Sequence, residues 1–252
     1  MSTLIAVPTK SRSEEFSKNT YRWLQYCYTD YAVFVEPQDY EKYRYVGEEH
    51  LIQLPDNNRG LGYAKGYIKD FALHNGYTAV FKVDDDISGW VDLKRKSRRG
   101  KPAAEYFEFI LGFLENKLRV DMIGAIGFPY RNEMWEVKDW TSVNSRLQTC
   151  YLIRTELMFA DERISTFEDF ATFTHLRLNN YITVRCGVLG MDLLPVAKTK
   201  GGLQDFNRAE QAEREILLLR EMYPALKVRK VVGKPWQYEP DLKGGIFKST
   251  KL

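Results

Sequence analysis

The sequence predicts an α/β fold: one domain built on a Rossmann-like, mostly parallel sheet flanked by helices. Three observations predict it. Short apolar runs of strand length recur at Leu4–Val7, Tyr31–Val35, Leu51–Leu54 and Ala79–Val83. Stretches with helical spacing of apolar residues separate the second from the first and the fourth from the third, and each run ends at a polar or proline-marked turn. Strands alternating with helices over roughly the first 90 residues imply a parallel sheet covered on both faces. Ligands bind such sheets outside the carboxyl ends of the strands. The loops at Pro8–Ser13, Glu36, Asn58–Gly62 and Asp84–Asp86 are therefore expected on one rim.

Taken in order, Leu4–Val7 reads as a buried strand, and the loop Pro8–Ser13 leads into a helix with Phe16, Trp23, Leu24 and Cys27 on one face. Tyr31–Val35 ends at Glu36-Pro37, and Leu51–Leu54 ends at Pro55. Leu61, Ala64, Ile68, Phe71 and Ala72 form the apolar face of the next helix, which Ala79–Val83 follows as a strand. Pro102 opens a helix that turns Phe107, Ile110, Leu111, Leu114 and Leu118 inward. Strands are expected at Met122–Ile126, Gln148–Ile153 and Ile182–Val184, with one helix starting near Phe167-Glu168-Asp169 and a charged amphipathic helix at Arg208–Met222. No repeat, low-complexity tract or linker divides the 252 residues, so one domain is expected, with halves of about 1–92 and 93–252.

Aromatic residues make up 14% of the chain, which excludes a disordered protein. The formal charge is only +3 and the pI about 8.6, so bulk charge alone does not mark a nucleic-acid binder. Cys27, Cys150 and Cys186 are isolated from one another, which excludes a cysteine zinc site and suits a reducing cytoplasm. Neither an export signal nor an apolar run of membrane-spanning length is present, so a soluble cytoplasmic protein without membrane contact is expected.

Chemistry concentrates at Asp84, Asp85 and Asp86, three carboxylates placed directly after the strand that ends in Val83. Adjacent carboxylates repel and resist desolvation, and a bound cation compensates both effects. Hard oxygen donors select Mg²⁺ or Mn²⁺, ions that in turn suit a diphosphate. The rival readings are a solvated turn or helix cap, and a phosphatase whose nucleophilic aspartate heads a D-x-D pattern.

Arg59-Gly60-Leu61-Gly62 is a glycine-containing turn into a helix, offering backbone N–H groups and a guanidinium to an anion, or plain turn chemistry. Glu168-Asp169 lies between aromatic residues at a helix start, as a favourable dipole contact or as a general base. Lys94, Arg95, Lys96, Arg98, Arg99 and Lys101 form a basic run, read either as a solvated loop or as a contact for the phosphates of a polyanion. Gly201-Gly202 is a flexible turn able to close over a ligand, and His175 is a further candidate six residues after Asp169.

Together these segments resemble a GT-A glycosyltransferase, and most closely the TET/JBP-associated glycosyltransferases of bacteriophages, relatives of the C-terminal domain of GREB-type proteins. The resemblance rests on Ala6-Val7-Pro8-Thr9 with Arg12, Val35-Glu36-Pro37, Arg59–Lys65, Lys82–Ile87 and Phe167-Glu168-Asp169, and spans roughly residues 4–205. It implies transfer of a sugar from a UDP-sugar to a hydroxymethylated pyrimidine, 5-hydroxymethylcytosine, in phage DNA within the host cytoplasm. In that reading Asp84 and Asp86 hold Mn²⁺ or Mg²⁺, and Asp85 faces the sugar or ribose. Pro8, Thr9, Arg12, Glu36, Arg59, Gly60, Gly62, Gly201 and Gly202 surround the nucleotide sugar. Asp169 removes the acceptor proton, with inversion at the anomeric carbon, and the basic run holds DNA. Two rivals are a GT-A enzyme acting on a glycan or small molecule and a non-catalytic nucleic-acid-binding module.

Overall fold

The first half of the sheet is four parallel strands, β1 (Thr3–Thr9), β2 (Tyr31–Val35), β3 (Leu51–Gln53) and β4 (Ala79–Lys82), in the order β3-β2-β1-β4. The computed structural model describes residues 1–92, 94–134, 141–143, 147, 149–193, 208–224, 226, 228–230 and 238–240. These strands read as unbroken apolar runs because both of their faces are covered. Ile5, Val7, Val33, Val35 and Phe81 enter one core, while Leu4, Ala6, Ala32, Phe34 and Val80 enter the other. Between β1 and β2 lie α1 (Ser13–Lys18) and α2 (Thr20–Leu24), and α3 (Leu61–His74) links β3 to β4.

After β4 come β5 (Ile87–Val91), β6 (Ser97–Arg98) and α4 (Lys101–Leu118), then β7 (Ile123–Gly127), β8 (Thr141–Val143) and β9 (Tyr151–Arg154). Next are α5 (Glu168–Leu178), β10 (Ile182–Cys186), β11 (Gly190–Leu193) and α6 (Arg208–Met222), with β12 (Val228–Lys230) pairing β13 (Tyr238–Pro240). The main sheet has eight strands in the order β3-β2-β1-β4-β9-β7-β10-β8, and β9 and β8 run against the other six. The expected α/β architecture, a mostly parallel sheet with helices on both faces, is the observed one.

The single helix expected to carry Phe16, Trp23, Leu24 and Cys27 is instead two short helices that break at Asn19. The Asn19 side chain donates to Glu15 O (2.6 Å), and the buried Thr20 hydroxyl donates to Asp84 O (2.7 Å) and accepts from Ile87 N (2.9 Å). These bonds draw α2 toward the acidic turn, and Cys27 falls beyond the helix. A second sheet, β11-β5-β6, was not expected. It joins the core through Trp90, which packs with Trp23, Phe81, Phe107 and Phe128 in a cluster whose ring centroids lie 4.9–6.1 Å apart. No helix among the described residues is long and apolar enough to cross a membrane.

Candidate active site

β4 delivers the acidic turn to the carboxyl-end rim, where Val83 N still bonds Ala6 O of β1 (3.0 Å). Asp85 turns inward: its carboxylate accepts from Thr9 Oγ1 (2.7 Å) and Arg12 Nη1 (3.1 Å), so both oxygens are engaged within the protein. Tyr43 braces this pair, its hydroxyl lying 2.8 Å from Thr9 Oγ1 and accepting from Arg12 N (3.1 Å). Asp84 and Asp86 stay partly open, with side-chain exposures of 27% and 21%. Asp84 accepts from Lys82 Nζ (2.5 Å), and Asp86 stands 3.8 Å from Arg12 Nη1. Burial, and then the charges of Asp84 and Asp85, push the Asp86 carboxyl up to about 7. Negative charge is therefore held here against a cost.

Behind the turn lies a buried ion cluster that joins it to α5. Lys82 Nζ donates to Asp84 Oδ1, to Thr149 O (2.9 Å) and to Glu168 Oε1 (3.1 Å). Glu168 Oε2 accepts from Lys65 Nζ (2.6 Å) and from the Tyr151 hydroxyl (3.1 Å), and Lys65 also donates to Thr172 Oγ1 (2.8 Å). Burial opposes the charge on Glu168, but Lys65 and Lys82 outweigh it and bring this carboxyl down to about 2. Lys82, for which burial is likewise opposed by Asp84 and Glu168, is held well above the usual lysine range. Two lysines and two carboxylates of matched formal charge are thus bonded into one cluster, with Asp84 at its partly open end.

Asp169 follows Glu168 on the first turn of α5, half-buried, with Oδ1 accepting from Phe170 N (2.7 Å). Tyr130, on the loop after β7, has its hydroxyl 3.4 Å from Thr149 Oγ1. Burial raises the Tyr130 phenol, and Asp84 and Asp169 raise it further, so this ring feels both acidic elements. Sequence reading gave no role to Lys82, Lys65, Tyr130, Tyr43 or Lys10, although Lys65 and Lys82 end and begin two of the segments that carry the resemblance. The only available signal was a lysine in an otherwise apolar strand (Ala79-Val80-Phe81-Lys82) and another on the apolar face of α3.

Elsewhere on the rim, Glu36 is buried and bonded to Lys10 Nζ (3.2 Å) and Gln38 Nε2 (2.6 Å), while Lys10 also reaches Asn58 Oδ1 (2.7 Å). Pro8 lies within β1. Arg59 is half-exposed, pairing with Asp56 and Glu162 and lying over the Tyr63 ring. Gly60 adopts φ 87°, a conformation that favours glycine. A Cβ on Gly62 would collide with the carbonyl oxygens of Asp161 and Ile164. The two glycines thus have a packing reason of their own: α3 starts hard against the loop that precedes α5. Gly201 and Gly202 lie outside the described residues.

The basic run forms the β5–β6 hairpin and the residues leading into α4. Arg98 pairs with buried Asp92 (2.8 Å), Arg99 and Arg131 pair with buried Asp192 (3.5 Å each), and Lys101 lies 3.9 Å from Glu105. Lys94, Arg95 and Lys96 are exposed at the turn. His175 lies instead against Phe159 and Tyr223.

Among the described residues no three His, Cys, Asp or Glu side chains converge as a metal cage. Two hard, partly open carboxylates fit a Mg²⁺ or Mn²⁺ ion that takes its remaining oxygens from water and phosphates, the usual arrangement for such ions.

A mostly parallel sheet, an acidic turn at the end of its fourth strand and a second acidic element on the same rim define the GT-A class. Solved structures with this fold include S. aureus TarS 1–349 (17% identity, TM-score 0.51, covering 76% of this chain). This chain spans 59% of that protein. Another is glucosyl-3-phosphoglycerate synthase from Mycobacterium tuberculosis in complex with Mn²⁺ and UDP-glucose, at 13% identity and a TM-score of 0.51, covering 96% of this chain and 90% of that one. The family model described as TET-Associated Glycosyltransferase matches residues 3–188, and the chain belongs to that family. No curated protein matches the sequence.

Proposed function

We propose that the protein transfers a sugar from a UDP-sugar to 5-hydroxymethylcytosine in DNA, with inversion at the anomeric carbon. The observation that carries this reading is the ion cluster tying Asp84 to Glu168, because it joins the acidic turn to the start of α5, beside the candidate base. Asp84 and Asp86 would hold Mn²⁺ or Mg²⁺, which would supply charge stabilisation to the departing diphosphate. Arg12, fixed in direction by Asp85, faces the nucleotide and phosphates. Lys10, Glu36 and Asn58 offer donors and acceptors to the base or ribose. Asp169 accepts the proton of the acceptor hydroxymethyl group as that oxygen attacks the anomeric carbon. The exposed hairpin turn at Lys94–Lys96 meets DNA phosphates.

One observation favours a second reading, transfer to a glycan or small molecule: Arg98 and Arg99 are already engaged with buried aspartates, leaving fewer charges for a polyanion. The deciding experiment incubates hydroxymethylated DNA with the protein, Mn²⁺ or Mg²⁺ and a panel of UDP-sugars, followed by mass spectrometry of the nucleosides. A 5-hydroxymethyl-2′-deoxycytidine heavier by one sugar residue is expected. Unmodified nucleosides, together with sugar transfer to a glycan, would overturn the DNA reading.

A further inference from the structure

We infer that Glu215 of α6 is a positioning residue for Asp169, an inference that rests on the reading of Asp169 as the base. Glu215 is 2% exposed, yet no lysine or arginine is bonded to it among the described contacts. Its carboxylate is satisfied by backbone instead. Oε1 accepts from Ser165 N (2.9 Å) and Thr166 N (3.0 Å), and Oε2 from Thr166 N (2.9 Å) and Phe167 N (2.9 Å). Gln211, one turn earlier on α6, adds a fifth bond to Oε1 (2.9 Å).

These three N–H groups belong to the residues directly ahead of α5, where amides lack intrahelical acceptors and attract negative charge. Glu215 therefore holds the approach to α5 from outside, while Lys65 and Lys82 hold its first residue, Glu168, from inside. Asp169 is the next residue along, so its backbone is fixed from two sides. The same loop meets the start of α3, since a Cβ on Gly60 would strike Ser165 Oγ and one on Gly62 the carbonyls of Asp161 and Ile164. Glu215 lies beyond the family-matched residues 3–188, so the device is contributed by a segment that the family model does not cover.

The test compares the wild type, Glu215→Gln and Glu215→Ala, each alone and combined with Asp169→Asn. In Glu215→Gln the shape is kept, but the amide NH₂ faces a backbone N–H and two of the four backbone bonds are lost. Hydrogen exchange read by mass spectrometry should show the 165–168 amides exchanging faster by about tenfold or more, with the rest of the fold unchanged. Turnover at saturating donor should fall by roughly tenfold to a hundredfold with donor KM unchanged, the size expected for a displaced reacting group. In the Asp169→Asn background the same change should have no further effect on kcat. If Glu215→Ala does not fold, the isosteric glutamine variant carries the comparison. Unchanged exchange at 165–168, unchanged kcat despite faster exchange, or an equal loss in both backgrounds would overturn the inference. Full turnover in Asp169→Asn alone would overturn the base reading and this inference with it, and is distinguishable because position 215 is then untouched.

Discussion

Replacing Lys82 with Met should strip the ion cluster of its central ammonium while nearly preserving volume. The lost nitrogen makes bonds to Asp84 (2.5 Å), Thr149 O (2.9 Å) and Glu168 (3.1 Å), and the side chain is only 1% exposed. Removing one member of a buried ion pair costs about 3–5 kcal/mol, because the partner charge is stranded. Glu168 keeps Lys65 at 2.6 Å and Asp84 keeps 27% exposure, so the lower end, about 3 kcal/mol, is expected. For a chain of this length each kcal/mol moves the melting temperature by about 2–4 °C, giving a drop of about 6–12 °C. Urea unfolding followed by circular dichroism, with a parallel thermal melt, measures both quantities. A loss below about 1 kcal/mol, or a gain, would refute the claim that this ammonium neutralises the two carboxylates, since apolar replacement is that mild only where no charge is stranded.

Asp84→Asn and Asp86→Asn should each abolish metal-dependent sugar transfer while leaving the circular dichroism spectrum unchanged; full activity of both in excess chelator would remove the metal role. Gly62→Ala should destabilise by about 1–3 kcal/mol through collision with the Asp161 and Ile164 carbonyls. Gly66→Ala in the same helix, whose new Cβ would meet only Ala160 Cβ at 3.8 Å, should gain up to about 1 kcal/mol; melts in which both behave alike would contradict this packing. Because the Glu168 carboxyl is lowered on folding from its ordinary 4.5 to about 2, its contribution is complete above pH 4.5 and is lost as pH falls toward 2. Urea midpoints across that interval should show a steeper acid loss in the wild type than in Glu168→Gln. Finally, Lys94→Ser with Lys96→Ser should flatten the salt dependence of DNA binding by about 0.9 per lost phosphate contact, with donor hydrolysis intact. Equal slopes would make the turn a merely solvated one.

The strands β1, β2 and β4 and the helices α3 and α4 were legible because burial on both faces writes itself as apolar runs and regular helical spacing. The break at Asn19 was not, since Phe16, Trp23 and Leu24 keep an acceptable helical spacing across it, and its causes are bonds to Glu15, Asp84 and Ile87. β5 was hidden for another reason: Ile87-Ser88-Gly89-Trp90-Val91 is buried throughout, so it lacks the alternation that marks a half-exposed strand. At the site, the acidic triplet and the Glu168-Asp169 pair could be picked out by composition and place. The burial of Glu168 in an ion cluster could not, because its lysine partners lie 86 and 103 residues away. Sequence spacing likewise gives no hint that the room at Gly62 is occupied by carbonyl groups.

The reversed direction of β9 has a consequence for how such a protein can diversify. Lys82 stands opposite Tyr151, so β9 enters the sheet where β1, β2 and β4 leave it, and Thr149 and Cys150 arrive on the rim from the opposite direction. The loops after β1, β2 and β4 are extensions of parallel strands whose spacing is locked by β1, but the chain approaching Tyr151 belongs to no parallel crossover. Among the described residues, no ladder bond of the β3-β2-β1-β4 half passes through that approach. A change in how the chain reaches Tyr151 is thereby expected to leave the rim built by β1, β2 and β4 in place.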